Sequence, residues 1–348
     1  MSRINRLQSS MRVNQLLITD PIMIFYYTGL RYDVGERFIG VYVPKEGEPT
    51  FFINKLFEIP SEYNTIPFED SDDITSILLA NINAHETLAV DGNCSAKFII
   101  PLIETVKLEN ASLYLEAVRN IKDASEIEIM KEASNLNDQI MESLKEYFVE
   151  GISEIELAEI IRKKQSTDPL TGVSFEPIAL FSENIADPHG IPSNRKLKKG
   201  DVIQIDMGGI YKGYCSDMTR CFFFGDNSEL EKIYNIVLEA NLNAIATVKP
   251  GIPLSEVDKA ARSVIEQAGY GPYFVHRTGH GIGIECHENL NVSSTNDTII
   301  KEGMCFSIEP GIYIEGLGGI RIEDLICVTK DGGFVMNHAP KEFSMISL

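Results

Sequence analysis

Two stretches of this chain place carboxylates where apolar strands call for hydrophobes. VIQIDMGGIYKGYCSDMTRCFFF, residues 202–224, is a pair of apolar runs around a glycine-bearing turn, and the runs carry Asp206 and Asp217. A reversal about Tyr211 and Lys212 sets these two directly opposite each other on one face, with β-carbons about 4.5 to 5.5 Å apart. CFSIEPGIYIEGLGGIRIEDLICV, residues 305–328, repeats the pattern with Glu309 and Glu323, which a reversal centred on Gly316 also makes opposite. Pro310 must interrupt the ladder beside Glu309, so a bulge or strand end is expected there. Four of the six histidines gather around these hairpins: His189 in ADPHG, and His276, His280 and His287 in HRTGHGIGIECHE.

Facing carboxylates repel unless a positive charge lies between them. Arg220 or Arg321 offers a salt bridge, but two guanidiniums do not neutralise four clustered acids, whereas two divalent cations do. An oxygen-rich donor set with an imidazole suits Mn²⁺, Co²⁺, Fe²⁺ or Zn²⁺ better than a thiolate-preferring site would. A single histidine in such a context is more often a hydrogen-bonded structural residue. Four of them, beside four strand-embedded acids and glycine turns that admit close backbone approach, point to metal.

The elements that must position these residues can be read along the chain. Its 348 residues suffice for two domains. Residues 1–120 read as a mixed α/β module: a helical pattern over 4–17, two strands in FIGVYVPKEGEPTFFI, and a short strand in LAVDGN, with His85 at the surface. Residues 121–348 open with a long amphipathic helix capped at Ser125, then a helix in SEIELAEIIRKKQ, a strand in EPIALF and the first hairpin. Helices over 228–248 and 255–269 follow before the second hairpin. Two helices before the first hairpin and two after it hint at internal duplication.

Composition bounds the function. With 51 acidic and 31 basic residues the net charge is -20, which argues against nucleic acid or an anionic membrane as partner. The N-terminal stretch lacks a signal-like apolar run and no segment approaches a membrane span, so a cytoplasmic protein is expected. The six cysteines have no CxxC spacing, which predicts free buried thiols.

In order along the chain, PHGIPSNRKLKKGDVIQIDMGG, GYCSDMTR, HRTGHGIGIECHE, SIEPGIY and GIRIED resemble the motifs of the M24 metallopeptidases, specifically their Xaa-Pro branch of prolidases and aminopeptidases P. The resemblance spans nearly the whole chain. It implies an α/β (α+β) fold with a C-terminal pita-bread catalytic domain and a smaller N-terminal domain of the creatinase/prolidase type. It implies two divalent metal ions, with Mn²⁺ foremost, held by Asp206, Asp217, His280, Glu309 and Glu323. Asp217 and Glu323 would bridge both ions, Asp206 would serve one, and His280 with Glu309 the other. Glu309 would also carry the proton, His189 and His287 would contact substrate and transition state, and His276 matches an extra histidine of the proline-directed members. Arg321, two residues before a ligand, would hold the carboxylates or bind substrate.

The implied reaction is hydrolysis of the Xaa-Pro bond, foremost in dipeptides; an aminopeptidase P acting on longer peptides is the alternative. Methionine aminopeptidases usually lack the N-terminal module, and creatinase-type enzymes lack the full ligand set. An inactive M24-like binding scaffold is the reading from another class, and such relatives typically lose ligands. The resemblance also implies a homodimer in which the loop LRYDVGERF, residues 30–38, closes over the other subunit's site through Asp33 and Arg37. Three positions depart from the pattern: Leu290 in place of a proline, Cys286 in place of a β-branched residue, and Ser182 in place of a glycine.

Overall fold

Alternation of side chains along the strands decides how this protein can bury acids in a sheet. The computed structural model describes residues 2–346, and the chain divides into two units, Met1–Arg119 and Asn120–Leu348.

In the N-terminal unit a six-stranded mixed sheet runs in the order Asn64–Phe68, Thr50–Asn54, Ile39–Pro44, Gln15–Ile18, Leu88–Val90, Leu108–Asn110. Leu17, Phe38, Phe52, Phe68 and Leu88 form a core on it. The helical pattern expected over 4–17 breaks in two. The helix is Arg3–Ser10, and its C-cap Met11 is already extended. The apolar run Gln15–Ile18 is a fully buried strand, paired antiparallel to Ile39–Pro44 and parallel to Leu88–Val90. A short apolar run does not distinguish helix from buried strand by periodicity alone.

The C-terminal unit is built from two helix pairs, each packed on a sheet. Ala124–Ser143 and Glu154–Gln165 lie against a three-stranded sheet of Ile178–Phe181, Asp201–Met207 and Met218–Phe224. Ser228–Thr247 and Leu254–Gln267 lie against a five-stranded sheet that includes Gly279–Gly281, Cys305–Ile308 and Asp324–Thr329. The first helix is capped by Asp123, not Ser125: Asp123 accepts from the Ser125 and Glu126 amides, and Glu126 closes a capping box.

In Asp201–Met207, the residues Ile203, Ile205 and Met207 face the first helix pair and share its core with Met141, Leu157 and Ile161. Val202, Gln204 and Asp206 therefore point to the opposite face. The second sheet does the same: Phe306, Ile308, Ile326 and Val328 join the core of Val237, Ala244 and Val257, while Glu309 and Glu323 continue the other face. Each fully buried aliphatic side chain contributes about 1.5 to 3 kcal/mol. The helix-facing rows thus hold sheets whose opposite faces are polar.

Candidate metal centre

The two hairpins deliver their acids by different registers. In the second, Ile308 pairs with Asp324 and Gly311 with Arg321, so the reversal is centred on Gly316, as the sequence predicts. The ladder lapses at Glu309–Pro310 and Ile322–Glu323, where proline cannot donate. The glutamate amides bond elsewhere: Glu309 N–H donates to the Thr278 carbonyl at 2.8 Å, and Glu323 N–H to the Thr219 carbonyl at 3.2 Å. Each acid is braced by a neighbouring strand.

The first hairpin corrects the expectation of directly opposed aspartates. Tyr211 pairs with Tyr214, and Asp206 pairs with Thr219, not Asp217. The turn is Lys212-Gly213, with φ of 49° and 84°, because a two-residue hairpin turn of this kind needs positive φ at both positions and glycine supplies it without strain. The register moves by two residues, so Asp217 remains on the same face as Asp206 but lies diagonally across the ladder. Close approach of strands here also demands glycine: a Cβ on Gly279, beside His280, would lie 1.9 Å from the Ser307 carbonyl oxygen.

His189, Asp206, Asp217, His276, His280, His287, Glu309, Arg321 and Glu323 all line one cavity of about 430 Å³. Ligand atoms of Asp217, His280 and Glu323 lie within 4.8 Å of one another. His280 Nε2 is 3.4 Å from Glu309 Oε1 and 3.7 Å from Asp217 Oδ2. Its Nδ1 is 3.0 Å from the Gly281 carbonyl, which takes the ring proton on that side and leaves Nε2 as a lone pair. Burial lowers the His280 pKa to about 3, so the ring stays neutral. Burial also raises Asp217 and Glu323 well above the usual carboxylate range, with neighbouring acids adding to it, and brings Glu309 to about 7.

The donor set fits divalent cations. Asp206 Oδ1 and Asp217 Oδ1 are buried without any hydrogen-bond partner, an arrangement that costs free energy unless a cation completes it. The donors are carboxylates and a neutral imidazole, the hard and intermediate ligands that such ions take.

Arg321 answers only one of the acids. Its Nη2 donates to Asp206 Oδ2 at 2.5 Å, Nη1 to Tyr313 Oη at 2.9 Å and the Pro188 carbonyl at 3.3 Å, and Nε to Thr219 Oγ1 at 3.2 Å. With every nitrogen engaged, its geometry suits holding the carboxylates rather than gripping substrate. Arg220 lies on the helix-facing side and pairs with Asp324 at 2.7 Å, outside the cluster.

Tyr313 and Thr219 were not singled out in the sequence. The Tyr313 hydroxyl accepts from Arg321 and so donates to His276 Nε2 at 2.8 Å, while His276 Nδ1 donates to the Arg277 carbonyl at 2.7 Å. Burial lowers the His276 pKa to about 4, consistent with this neutral tautomer. Thr219 Oγ1 donates to Glu323 Oε2 at 2.8 Å. Its signal was its position, two residues beyond Asp217 on the same strand face. Asp33 and Arg37 belong to the N-terminal unit; Arg37 makes a two-pronged pair with Asp70 at 3.0 Å on both arms. Ser182 adopts a positive φ of 42°, which accounts for a glycine being suited to that position. All six cysteines are free thiols.

Opposed acid-bearing hairpins, each backed by a helix pair, define a pita-bread metallopeptidase, a hydrolase of a family whose members depend on a pair of metal ions. The chain belongs to metallopeptidase family M24, whose model matches residues 128–330, while the Creatinase/Prolidase N-terminal domain matches residues 3–121. It is 38% identical to an uncharacterised peptidase of Staphylococcus aureus over 336 residues, 93% of this chain and 94% of the relative. Among solved structures, a prolidase from Thermococcus sibiricus is similar at 35% identity and a TM-score of 0.92, covering 99% of this chain and 98% of that one. An X-Pro aminopeptidase from Thermotoga maritima is similar at 26% identity and a TM-score of 0.84, covering 98% and 100%. Among the described residues no helix is long and apolar enough to cross a membrane.

Proposed function

We propose that this protein hydrolyses the Xaa-Pro bond of dipeptides. The observation that carries the reading is the single cavity in which a neutral His280, the carboxylates and a proton-carrying Glu309 converge. Asp217 and Glu323 would hold both of two divalent cations, foremost Mn²⁺, with Asp206 on one and His280 and Glu309 on the other. When bound, such a pair supplies a water acidified to near-neutral pKa and a polarised carbonyl.

The chain's own residues complete the chemistry. The proline nitrogen is a tertiary amide in the substrate and does not leave without a proton. Glu309, poised at about pH 7, takes a proton at its carboxylate and passes it to that nitrogen. His287, whose pKa burial lowers, is neutral and donates from its ring N–H to oxygen as negative charge develops there. His189, exposed at the rim, orients the substrate. The Arg321–Tyr313–His276 chain fixes the wall beside Asp206, and Arg277, held by Asn291, adds a cation to the lining.

A dipeptide places its free carboxylate close to the cavity, where His276, His287 and Arg277 lie. Ala-Pro is therefore expected to exceed Ala-Pro-Ala in kcat/KM by about tenfold, or 1.4 kcal/mol of transition-state stabilisation. The similarity to an X-Pro aminopeptidase makes the second reading concrete: equal or better cleavage of the tripeptide selects it. Failure to cleave either peptide with metal bound would remove both.

The homodimeric lid implied by the resemblance is part of the proposal. Residues 30–38 form a loop, and Arg37 must release Asp70 before it can clamp a substrate carboxylate. Asp33→Ala and Arg37→Ala are expected to raise KM several-fold in a dimer; a fully active monomer, or variants with unchanged KM, would dispose of the lid.

A further inference from the structure

We propose that Cys305 and Cys327 are a modification site: a peroxide joins them in a disulfide that draws together the two strands leading to Glu309 and Glu323 and reversibly lowers turnover. Formation of the bond is independent of the substrate reading above, on which only its effect on turnover rests.

The backbone places the two sulfurs. Cys305 lies in Cys305–Ile308 and Cys327 in Asp324–Thr329, and the antiparallel register sets them directly opposite each other. The Val328 amide donates to the Met304 carbonyl at 2.8 Å, which makes the adjoining pair a hydrogen-bonded one. Hydrogen-bonded and non-hydrogen-bonded pairs alternate along such a ladder, so Cys305 and Cys327 form a non-hydrogen-bonded pair. Accordingly, the Cys305 carbonyl turns outward and accepts from the Ile282 amide at 3.3 Å. Pairs of this kind bring their α-carbons to about 4.5 Å, inside the range of about 4.4 to 6.8 Å that a disulfide spans. Both side chains enter one apolar cluster with Met130, Ile282 and Leu325. Among the described residues no other two cysteines face each other across a ladder: Cys215 pairs with Ile210 and Cys221 with Gln204.

The two thiols are not equivalent. Cys305 is fully buried, whereas Cys327 borders a second cavity of about 400 Å³, lined also by Lys122, Lys131, Gly303 and Phe334. A hydrogen bond from the Cys305 thiol, with Lys131 and Lys122 nearby, lowers the Cys327 pKa against burial and Glu302, and the same bond raises that of Cys305. Cys327 is therefore the nucleophile and Cys305 the thiol that resolves it.

In the first step the Cys327 sulfur attacks one peroxide oxygen, a sulfur–oxygen bond forms, the oxygen–oxygen bond breaks and the leaving hydroxide becomes water. In the second, the Cys305 sulfur displaces the new hydroxyl from Cys327, the disulfide forms and a second water leaves with the Cys305 proton. The sulfurs together lose two electrons and the peroxide gains them.

Each cysteine lies four positions along its strand from an acid of the metal centre, Cys305 from Glu309 and Cys327 from Glu323. Closing the bond takes the β-carbons from about 4.5 to 5.5 Å apart to about 3.8 Å. The strand ends that carry the two glutamates shift with them.

The test treats Mn²⁺-loaded full-length protein with a small excess of hydrogen peroxide and follows intact mass, peptide maps and turnover of Ala-Pro. Wild type should lose two hydrogens, yield a peptide cross-linked between Cys305 and Cys327, and turn over at least about tenfold more slowly, since misplacement by about 1 Å costs up to about a hundredfold. Dithiothreitol should restore both mass and rate. Cys305→Val and Cys327→Val should keep their rates through the same treatment. The proposal is overturned if the sulfurs stay reduced or pass to sulfinic acid without a cross-link, if the cross-link leaves turnover unchanged, or if both variants lose turnover as wild type does. Should untreated protein cleave no Xaa-Pro peptide, the substrate reading fails and calorimetric Mn²⁺ affinity before and after oxidation decides: weakened affinity supports the site, and unchanged affinity overturns its effect on the centre.

Discussion

Asp217→Asn is expected to lower kcat/KM on an Xaa-Pro dipeptide by about a thousandfold or more, while the metal-free variant unfolds at the same temperature as wild type or higher. The two effects have one origin. Asp217 is 3% exposed, with one oxygen unpartnered and Asp206 and Glu309 nearby. Without cations its charge destabilises the fold, as its raised pKa records. A raised carboxyl pKa means that the folded state binds a proton the unfolded chain has already released. Stability is therefore lost as pH rises above the unfolded value and through the folded one. An amide of the same shape removes that penalty but is a poor anionic ligand for two cations. Thermal melts at about pH 8, with and without chelator, and kinetics at saturating Mn²⁺ check both halves. Near-normal turnover would remove Asp217 from the centre, and a large fall in metal-free stability would contradict its electrostatic account.

The second large effect is on stability as a function of metal and pH together. At a free Mn²⁺ concentration one hundred times the dissociation constant, binding adds about 2.7 kcal/mol, and a thousandfold excess about 4.1 kcal/mol. In a unit of this size that is a rise in Tm of roughly 5 to 15 °C. The increment should be large at about pH 8 and small at about pH 5.5, because protons compete for the same oxygens. Glu309 titrates at about 7, and Asp217 and Glu323 are displaced upward as well. Metal-free protein should move the other way, gaining stability as pH falls from about 7 toward the ordinary carboxylate range near 4.5. At lower pH the gain reverses as Asp324 and Glu183 protonate. Asp324 is held below its usual range by Arg220 and Lys341 against the cost of burial, and Glu183 is lowered to about 2 by its bond to Arg195. Groups with depressed pKa lose their contribution as pH falls through the folded value. Differential scanning fluorimetry with and without Mn²⁺ across this range should give converging curves. Parallel curves would contradict the shared use of these carboxylates by protons and metal.

Legibility in the sequence followed the range of the interaction. The second hairpin could be read from residue types because its loop is centred on a glycine and its proline announces where pairing lapses. The first was misread by two residues. The apparent symmetry centre, Tyr211-Lys212, neglects that Gly213 is the residue suited to the tight turn. The helix pattern over 4–17 ended early because burial of Gln15–Ile18 within a sheet outweighed local preference. The clustering of acids and histidines was visible because each sits within an apolar run and stands out there. Tyr313 bridging Arg321 to His276, Thr219 bridging Arg321 to Glu323, and Lys122 buried against Glu288 were not visible. Such partners meet through tertiary packing, up to 166 positions apart for the last pair, and nothing in their immediate sequence signals it.

The backbone hydrogen bonds of Glu309 and Glu323 bear on how such a centre responds to changes of ion. Both acids are anchored to carbonyls outside their own hairpin, Glu309 at Thr278, just before the strand Gly279–Gly281, and Glu323 at Thr219. The spacing of their α-carbons is therefore imposed by main-chain geometry and does not depend on what occupies the space between the side chains. Exchange of one cation for another then alters rotamers and occupancy but leaves the scaffold untouched.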